Sequence, residues 1–435
     1  MTKSSRVILY SVITVVLAGL AYAAYYVYTN TSFLRFHLAQ EDLQANNFNV
    51  TNNSNQATNL PSAEQLDLLT LIPQTLQVPE KFRSGVLAKD RLLNVPAGFI
   101  ISVFAAGLSE PRFFTFDADN NLIVADKDSG KIVLIKDTNS DGASDETITV
   151  DQGLQVMHSV FFYEGDLYAA EEHQVSVYRD VQTDGTYSKK EILVSGLPSG
   201  AGHSTRTVII GPDKKMYVSV GSSCNVCEES DSRRAAVMRY NLDGSGAEVF
   251  ASGLRNSVGI TFYQDELWSV DMGRDQIGDD IPPEEVNVVK QGQHYGWPYC
   301  YGQGVVNPEY EGARESFCKN ETAAPVYEMQ AHSAPLGLTF MPEERGSSFN
   351  FPSQLEQNLF IGFHGSWNRS VPTGYKVVTI DTTAPSSQAV NFVTGWLETN
   401  GQAWGRPVDV GFDHNGILYI SDDKAGIIYR VEYHD

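Results

Sequence analysis

The chain has 435 residues, 42% of them hydrophobic and 19% charged, with 36 Gly and 18 Pro. That composition is globular and rich in turn formers, which excludes a coiled coil and a wholly disordered chain. Its 31 Lys and Arg against 53 Asp and Glu give a net charge of −22. Such a surface repels phosphate backbones and argues against nucleic acid as a partner, so any anionic ligand must be held by a local cluster of cations.

At the amino terminus, Lys3 and Arg6 precede an uncharged apolar run from Val7 to Tyr28. About 20 apolar residues span a bilayer as a helix, and the positive flank stays in the cytoplasm. Residues 1–30 are therefore predicted to be a cytoplasmic stub and transmembrane helix, which places everything after them on the extracytoplasmic side. The alternative is a signal peptide cleaved after Ala21-Tyr22-Ala23, which would release the protein as a secreted one. Residues 31–93 read as a polar stalk, rich in Asn, Gln, Thr and Ser from Gln40 to Ser62, followed by a short helical or irregular lead-in.

From residue 94 to 435 one pattern recurs: an apolar strand ending in an anchor residue, a polar turn, then a second apolar strand. The anchors are Phe116, Phe162, Ile210, Phe262, Phe340 and Phe412, which are 46, 48, 52, 78 and 72 positions apart. Four-stranded propeller blades repeat at roughly 40–50 residues, and the longer gaps indicate inserted loops. The last copy offers three strands before the chain ends, and Phe99–Ala105 belongs to no copy. Pairing the two would close a ring and remove exposed edges. The predicted fold is all-β, a six-bladed β-propeller closed by its N- and C-terminal strands.

In a propeller, residues just before each anchor strand converge on the axis. Those positions hold Arg112, His158, His203 with Arg206, Arg255 with Asn256, His332 and Arg406. A single such residue is most simply a polar loop residue paired to a carboxylate, but their recurrence in every blade describes a pocket for a planar polyanion. In the fourth repeat, Asp271 to Asn287 carries six carboxylates together with Gly273, a composition suited to a hard cation as well as to a solvated acidic loop. Asp137 to Asp145 mimics the start of a calcium loop but lacks the Glu at loop position 12, and reads as an Asx-rich turn. Cys224 and Cys227 form a C-x-x-C, and Cys300 and Cys318 flank a Gly- and Tyr-rich loop. Without a zinc-type cluster or a βαβ context, an exported chain with these cysteines is expected to hold two structural disulfides.

Gly202-His203-Ser204-Thr205-Arg206 with Gly211-Pro212-Asp213, Leu254-Arg255-Asn256, Gly273, Glu285-Val286-Asn287 and Tyr295-Gly296-Trp297-Pro298 resemble the glucose/sorbosone dehydrogenase family. These are sugar dehydrogenases dependent on pyrroloquinoline quinone (PQQ). The resemblance runs from about Pro96 to the end. It is closest to the sorbosone and pyranose dehydrogenase branch through Gly221 to Cys227, Ala331 to Pro335, His364 to Arg369 and Gly405 to Asp409. It implies a PQQ- and Ca2+-dependent oxidoreductase acting on an aldose or a sugar-derived aldehyde or hemiacetal, with an external electron acceptor, a quinone or cytochrome. His203 is then the general base, and Arg255 polarises the quinone oxygen. His158, Asn256, His332, Arg369 and Arg406 bind cofactor. Gly273 and Arg274 offer backbone carbonyls to a catalytic calcium, and Glu284 and Glu285 fall near structural calcium positions. Two positions depart from the soluble glucose dehydrogenase branch: Ser222 stands where that branch has an acidic residue, and Val408 where it has a second late Arg. A calcium-dependent lactonase-like hydrolase and a non-catalytic carbohydrate receptor are the rival readings. No haem-attachment motif occurs, because Glu228 follows Cys227.

Overall fold

The computed structural model describes residues 70–342, 351–384 and 387–434. The expected membrane helix and most of the expected stalk, residues 1–69, lie outside the described residues. Among the described residues no helix is long and apolar enough to cross a membrane.

Six four-stranded antiparallel sheets follow one another along the chain. Blade 1 comprises Pro111–Phe116, Leu122–Asp126, Lys131–Lys136 and Glu146–Gln152, and blade 2 Ser159–Tyr163, Asp166–Ala170, Gln174–Val181 and Tyr187–Ser195. Blade 3 comprises Arg206–Ile210, Lys215–Val220, Ala236–Asn241 and Glu248–Ser252, and blade 4 Ile260–Tyr263, Glu266–Asp271, Glu284–Val289 and Tyr327–Met329. Blade 5 comprises Pro335–Phe340, Asn358–Phe363, Lys376–Asp381 and Val390–Val393. Blade 6 takes Pro407–Phe412, Leu418–Asp422 and Ile427–Tyr433 from the end of the chain, and its outer strand is Phe99–Ala106. The two termini pair from Ile427 opposite Ala106 to Tyr433 opposite Phe99. Innermost strands touch from blade to blade right round the ring, from blade 6 back to blade 1. This is the predicted six-bladed propeller, with each anchor at or next to the end of an innermost strand.

The strands read as unbroken apolar runs because each blade is covered on both faces. Side chains alternate across a strand, so successive residues serve opposite blade interfaces. Leu359 and Ile361 pack in the core between blades 4 and 5, whereas Phe360 between them packs with Val410 and Ile420 of blade 6. Tyr168 joins Val208 and Val218 of blade 3, while its neighbours Leu167 and Ala169 face Ile123 and Ala125 of blade 1. An axial cavity of about 250 Å³ remains, lined by innermost strands through residues such as Thr115, Thr207, Thr261, Thr339 and Gly411.

The lead-in differs from the helical or irregular segment expected before residue 94. Leu71–Thr75 pairs antiparallel with Leu92–Pro96, and two 3-10 turns, Glu80–Phe82 and Gly85–Leu87, lie between them. Period-2 spacing seats Leu93 and Val95 with Leu76 and Leu87 in the core shared by blades 5 and 6. The short, polar-interrupted apolar pattern conceals this ribbon, because its partner surface comes from the far end of the chain.

Candidate active site

The opening of interest lies where innermost strands begin and second strands end. A recurring device shapes it. The Asp that closes the second strand of a repeat turns back to grip the backbone just before its innermost strand. Asp126 accepts from the amides of Ser109 and Glu110 (3.1 and 2.6 Å), Asp271 from those of Arg255 and Asn256 (2.8 and 2.7 Å), and Asp422 from that of Arg406 (2.8 Å). Arg255, Asn256 and Arg406 therefore emerge from backbone fixed by charge-assisted hydrogen bonds.

His203 stands at the blade 3 edge of this opening. Its Nδ1 lies 2.9 Å from Ser222 Oγ and 3.2 Å from the Ser222 carbonyl. Burial, with Arg255 adding to it, pushes the imidazole down to about 3, so the ring is neutral at physiological pH. Close approach depends on Gly221, where a Cβ would lie 2.5 Å from Asn256 Oδ1 and 2.6 Å from His203 Cβ. Arg255 is buried beside it. Its Nη1 donates to the carbonyls of Gly273 (2.9 Å) and Met272 (3.3 Å), and its Nη2 to Asp275 (3.2 Å) and Asn225 Oδ1 (2.9 Å). Asn256 contributes Nδ2 to Met272 Sδ at 3.3 Å.

A second cluster crosses blades 5, 6 and 1. Asp423 accepts from Arg112 Nη1 at 2.5 Å, Arg406 Nε at 2.8 Å and His364 Nε2 at 2.9 Å. Burial works to raise this carboxyl, but the cationic groups around it hold it well below the usual carboxylate range. Arg406 is the most open of the group, and Arg112 is buried.

The remaining predicted axial residues serve the framework. His158 is fully buried, its Nδ1 accepting from Arg112 Nε at 3.4 Å and its ring perpendicular to that of Phe113, while its buried Nε2 has no hydrogen-bond partner. Arg206 is also fully buried; its Nη1 and Nη2 donate to the carbonyls of His203, Thr205 and Pro198, and its Nε has no partner. His332 and Arg369 meet on the acidic loop. His332 Nε2 lies 2.8 Å from the Gly278 carbonyl, while Arg369 reaches the Asp279 carbonyl and Asp280 Oδ1 (3.0 Å). The row of axial cations thus divides into residues at the opening and residues that brace its loops.

The acidic loop divides as well. Arg274 Nη1 pairs with Glu309 at 2.5 Å, and the Gly273 carbonyl accepts Arg255 Nη1 with one of its two lone pairs. Glu284 receives the amides of Gly273 (2.7 Å) and Ala334 (3.0 Å), and burial pushes it up to about 7. Glu285 receives the Gly302 amide at 2.7 Å, and burial pushes it up to about 8. Asp271 and Glu285 line a small cavity of about 20 Å³ together with Arg255, Arg274 and Asn307, and the buried Oδ1 of Asn307 has no hydrogen-bond partner. The carboxylates and the unpartnered amide oxygen are donors of the kind a small hard cation takes, while the two arginines lining the same void oppose it. Asp137, Asn139 and Asp141 accept local backbone and side-chain donors in the expected Asx-rich turn, and Asp145 pairs with Lys81. Both expected disulfides, Cys224–Cys227 and Cys300–Cys318, are present.

Sequence reasoning passed over Asp423, His364, Asn225 and the strand-ending Asp residues. The last had a visible signal: the repeats ending in Asp126, Asp271 and Asp422 share that residue at one register position.

The described residues thus form a closed six-bladed propeller whose strand-entry loops carry the His203–Arg255 pair and a second cation cluster around Asp423. Residues 93–434 match the TrAA12-like family model, and the chain belongs to that family. It is 32% identical over 360 residues to an uncharacterized protein of Borreliella burgdorferi, covering 78% of this chain and 91% of that one. It is 24% identical to a pyrroloquinoline quinone-dependent pyranose dehydrogenase of Coprinopsis cinerea, over 78% of this chain but 54% of that protein, so it spans about half of that relative's length. The holo form of the PQQ domain of the Coprinopsis cinerea pyranose dehydrogenase shares the fold, with a TM-score of 0.68 at 23% identity over 78% of this chain and 97% of that one.

Proposed function

We propose that this chain is a PQQ-dependent sugar dehydrogenase that oxidises an aldose, or a sugar-derived aldehyde in its hemiacetal form. The observation that carries the reading is His203: a half-buried, neutral imidazole engaged only through Nδ1 among the described hydrogen bonds, beside the Arg255 guanidinium. PQQ, when bound, supplies a two-electron quinone acceptor for hydride. The residues that would hold it are Arg406, with Arg112 behind it, on one side and Arg255 with Asn256 on the other, since a polyanion is met best by fixed guanidinium donors. His203 Nε2 takes the hydroxyl proton of the sugar as hydride leaves the same carbon, its lone pair being available because the imidazole is uncharged at working pH. Arg255 would offer its guanidinium to negative charge on the acceptor oxygen of a bound quinone. The apolar run at Val7–Tyr28 supports anchoring on the extracytoplasmic side of a membrane, next to an external electron acceptor.

The test is reconstitution of the purified exodomain with PQQ and Ca2+. Saturable uptake of PQQ and bleaching of the quinone absorbance by aldoses are expected. Absence of saturable binding would turn the reading to a carbohydrate receptor, and lactone hydrolysis without PQQ to the hydrolase.

Calcium belongs to the same proposal, with Asp271, Glu285 and Asn307 as donors. Binding to the folded state alone at 100 times Kd adds about 2.7 kcal/mol of stability. Added Ca2+ should therefore raise Tm, and chelation should lower it again. A Tm indifferent to both would show that protons, not a metal, neutralise these carboxylates.

A further inference from the structure

Cys224 and Cys227 are disulfide-bonded three positions apart, which closes a small ring of chain at the edge of the opening. Two sets of hydrogen bonds leave this ring. On one side, Ser222 Oγ donates to the Cys224 carbonyl at 2.8 Å. A hydroxyl has a single proton, so Ser222 Oγ can only accept from His203, and the Ser222 carbonyl can only accept as well. Both atoms facing Nδ1 are acceptors. Nδ1 must therefore carry the ring proton, which leaves the lone pair on Nε2. On the other side, the Asn225 carbonyl accepts Arg255 Nε at 3.1 Å, and Asn225 Oδ1 accepts Arg255 Nη2 at 2.9 Å. Asn225 is itself fixed by the Asp275 amide (2.8 Å), by donation to the Asp275 carbonyl (3.1 Å), and by Trp297 Nε1 on its own carbonyl (3.1 Å).

We infer that the Cys224–Cys227 ring is the positioning element of the site, setting the tautomer of His203 through Ser222 and the plane of the Arg255 guanidinium through Asn225. The importance of this for turnover rests on the dehydrogenase reading above; the positioning itself does not. A carboxylate could orient the imidazole, but its charge would also stabilise imidazolium. A serine whose proton is committed to a ring carbonyl orients without adding charge, in keeping with the low proton affinity of His203. The closed ring matters because it fixes where the Cys224 carbonyl points. Without it the Ser222 hydroxyl is free to rotate and donate to Nδ1, which favours the tautomer that has no lone pair on Nε2.

The tautomer can be read on the protein alone. In 15N-histidine-labelled protein at pH 7, His203 is assigned by the signal lost in His203→Gln. We expect Nδ1 to be protonated and Nε2 bare in the unsubstituted chain, and both nitrogens to shift to averaged positions in the double variant Cys224→Ser, Cys227→Ser. In PQQ-loaded enzyme the double variant should lose about 10–100-fold in kcat, the scale of an orienting partner removed from a working group, with a much smaller change in sugar KM. Asn225→Ala should lower kcat while leaving the His203 tautomer intact, and Asn225→Asp, which keeps the acceptor oxygen for Arg255, should recover part of the loss. Protonation of His203 on Nε2 in the unsubstituted chain would overturn the inference even if the ring-opened variant failed to fold. So would a ring-opened variant with unchanged tautomer and unchanged kcat. The expected tautomer in a protein that oxidises no sugar would leave the positioning in place and sink the dehydrogenase reading.

Discussion

Replacing His203 with alanine is expected to lower kcat by about 100-fold or more, because a positioned general base contributes roughly that factor at its low end. PQQ binding should survive. The cations proposed to meet the cofactor, Arg406 and Arg112, are held by Asp423 across the opening and share no described hydrogen bond with the His203 side chain. Arg255 is likewise held by Asn225, Gly273 and Asp275. The variant therefore separates proton transfer from cofactor affinity, which a PQQ titration and a single-turnover measurement read independently. Turnover near that of the unsubstituted enzyme would remove His203 from the mechanism. Equal loss of PQQ binding and turnover would make it a structural or cofactor residue instead.

The fold was legible because a propeller writes itself locally. Blades 1, 2, 3 and 5 are built from consecutive strands, so the alternation of Leu359, Phe360 and Ile361 and the recurrence of the anchors needed no knowledge of distant partners. Closure was legible for a related reason: one strand, Phe99–Ala106, was left over, and one blade lacked a strand. His203, Arg255 and Asn256 were legible because each stands just before an innermost strand of consecutive blades, where Gly221 makes room for their approach. What stayed hidden depends on geometry between blades. Asp423 binds Arg112, His364 and Arg406, residues separated by up to 311 positions, and an Asp after a strand end carries no mark of that. Burial was hidden too. Arg206 and His158 occupy axial positions as read, but both are fully buried, one against backbone carbonyls and the other against Phe113. Membership in a periodic row predicted position well and exposure poorly.

The Asp423 cluster yields the other large effect. Asp423→Asn keeps the side-chain size but removes the one negative charge shared by Arg112, Arg406 and His364. Removing one partner of a buried ion pair costs about 3–5 kcal/mol, because the other is left uncompensated. Arg112 is buried and bears that cost most directly, whereas the partly open Arg406 is relieved by water. The effect has a defined pH signature. The carboxyl titrates far lower in the folded protein than the value of about 3.9 it would have unfolded. Its contribution is therefore fully present above about pH 5 and declines as the pH falls through and below the unfolded value. Urea unfolding at pH 7 should show the variant destabilised by a few kcal/mol, and the gap should narrow steadily toward pH 3. Cofactor should act in the opposite direction. With Asp423 neutral, the guanidinium groups have no internal anion, so added PQQ should raise the Tm of the variant by more than that of the unsubstituted chain. An equal rise in both would place the carboxylates of the cofactor elsewhere, whereas an unchanged pH 7 stability would mean that water, not Asp423, compensates Arg112.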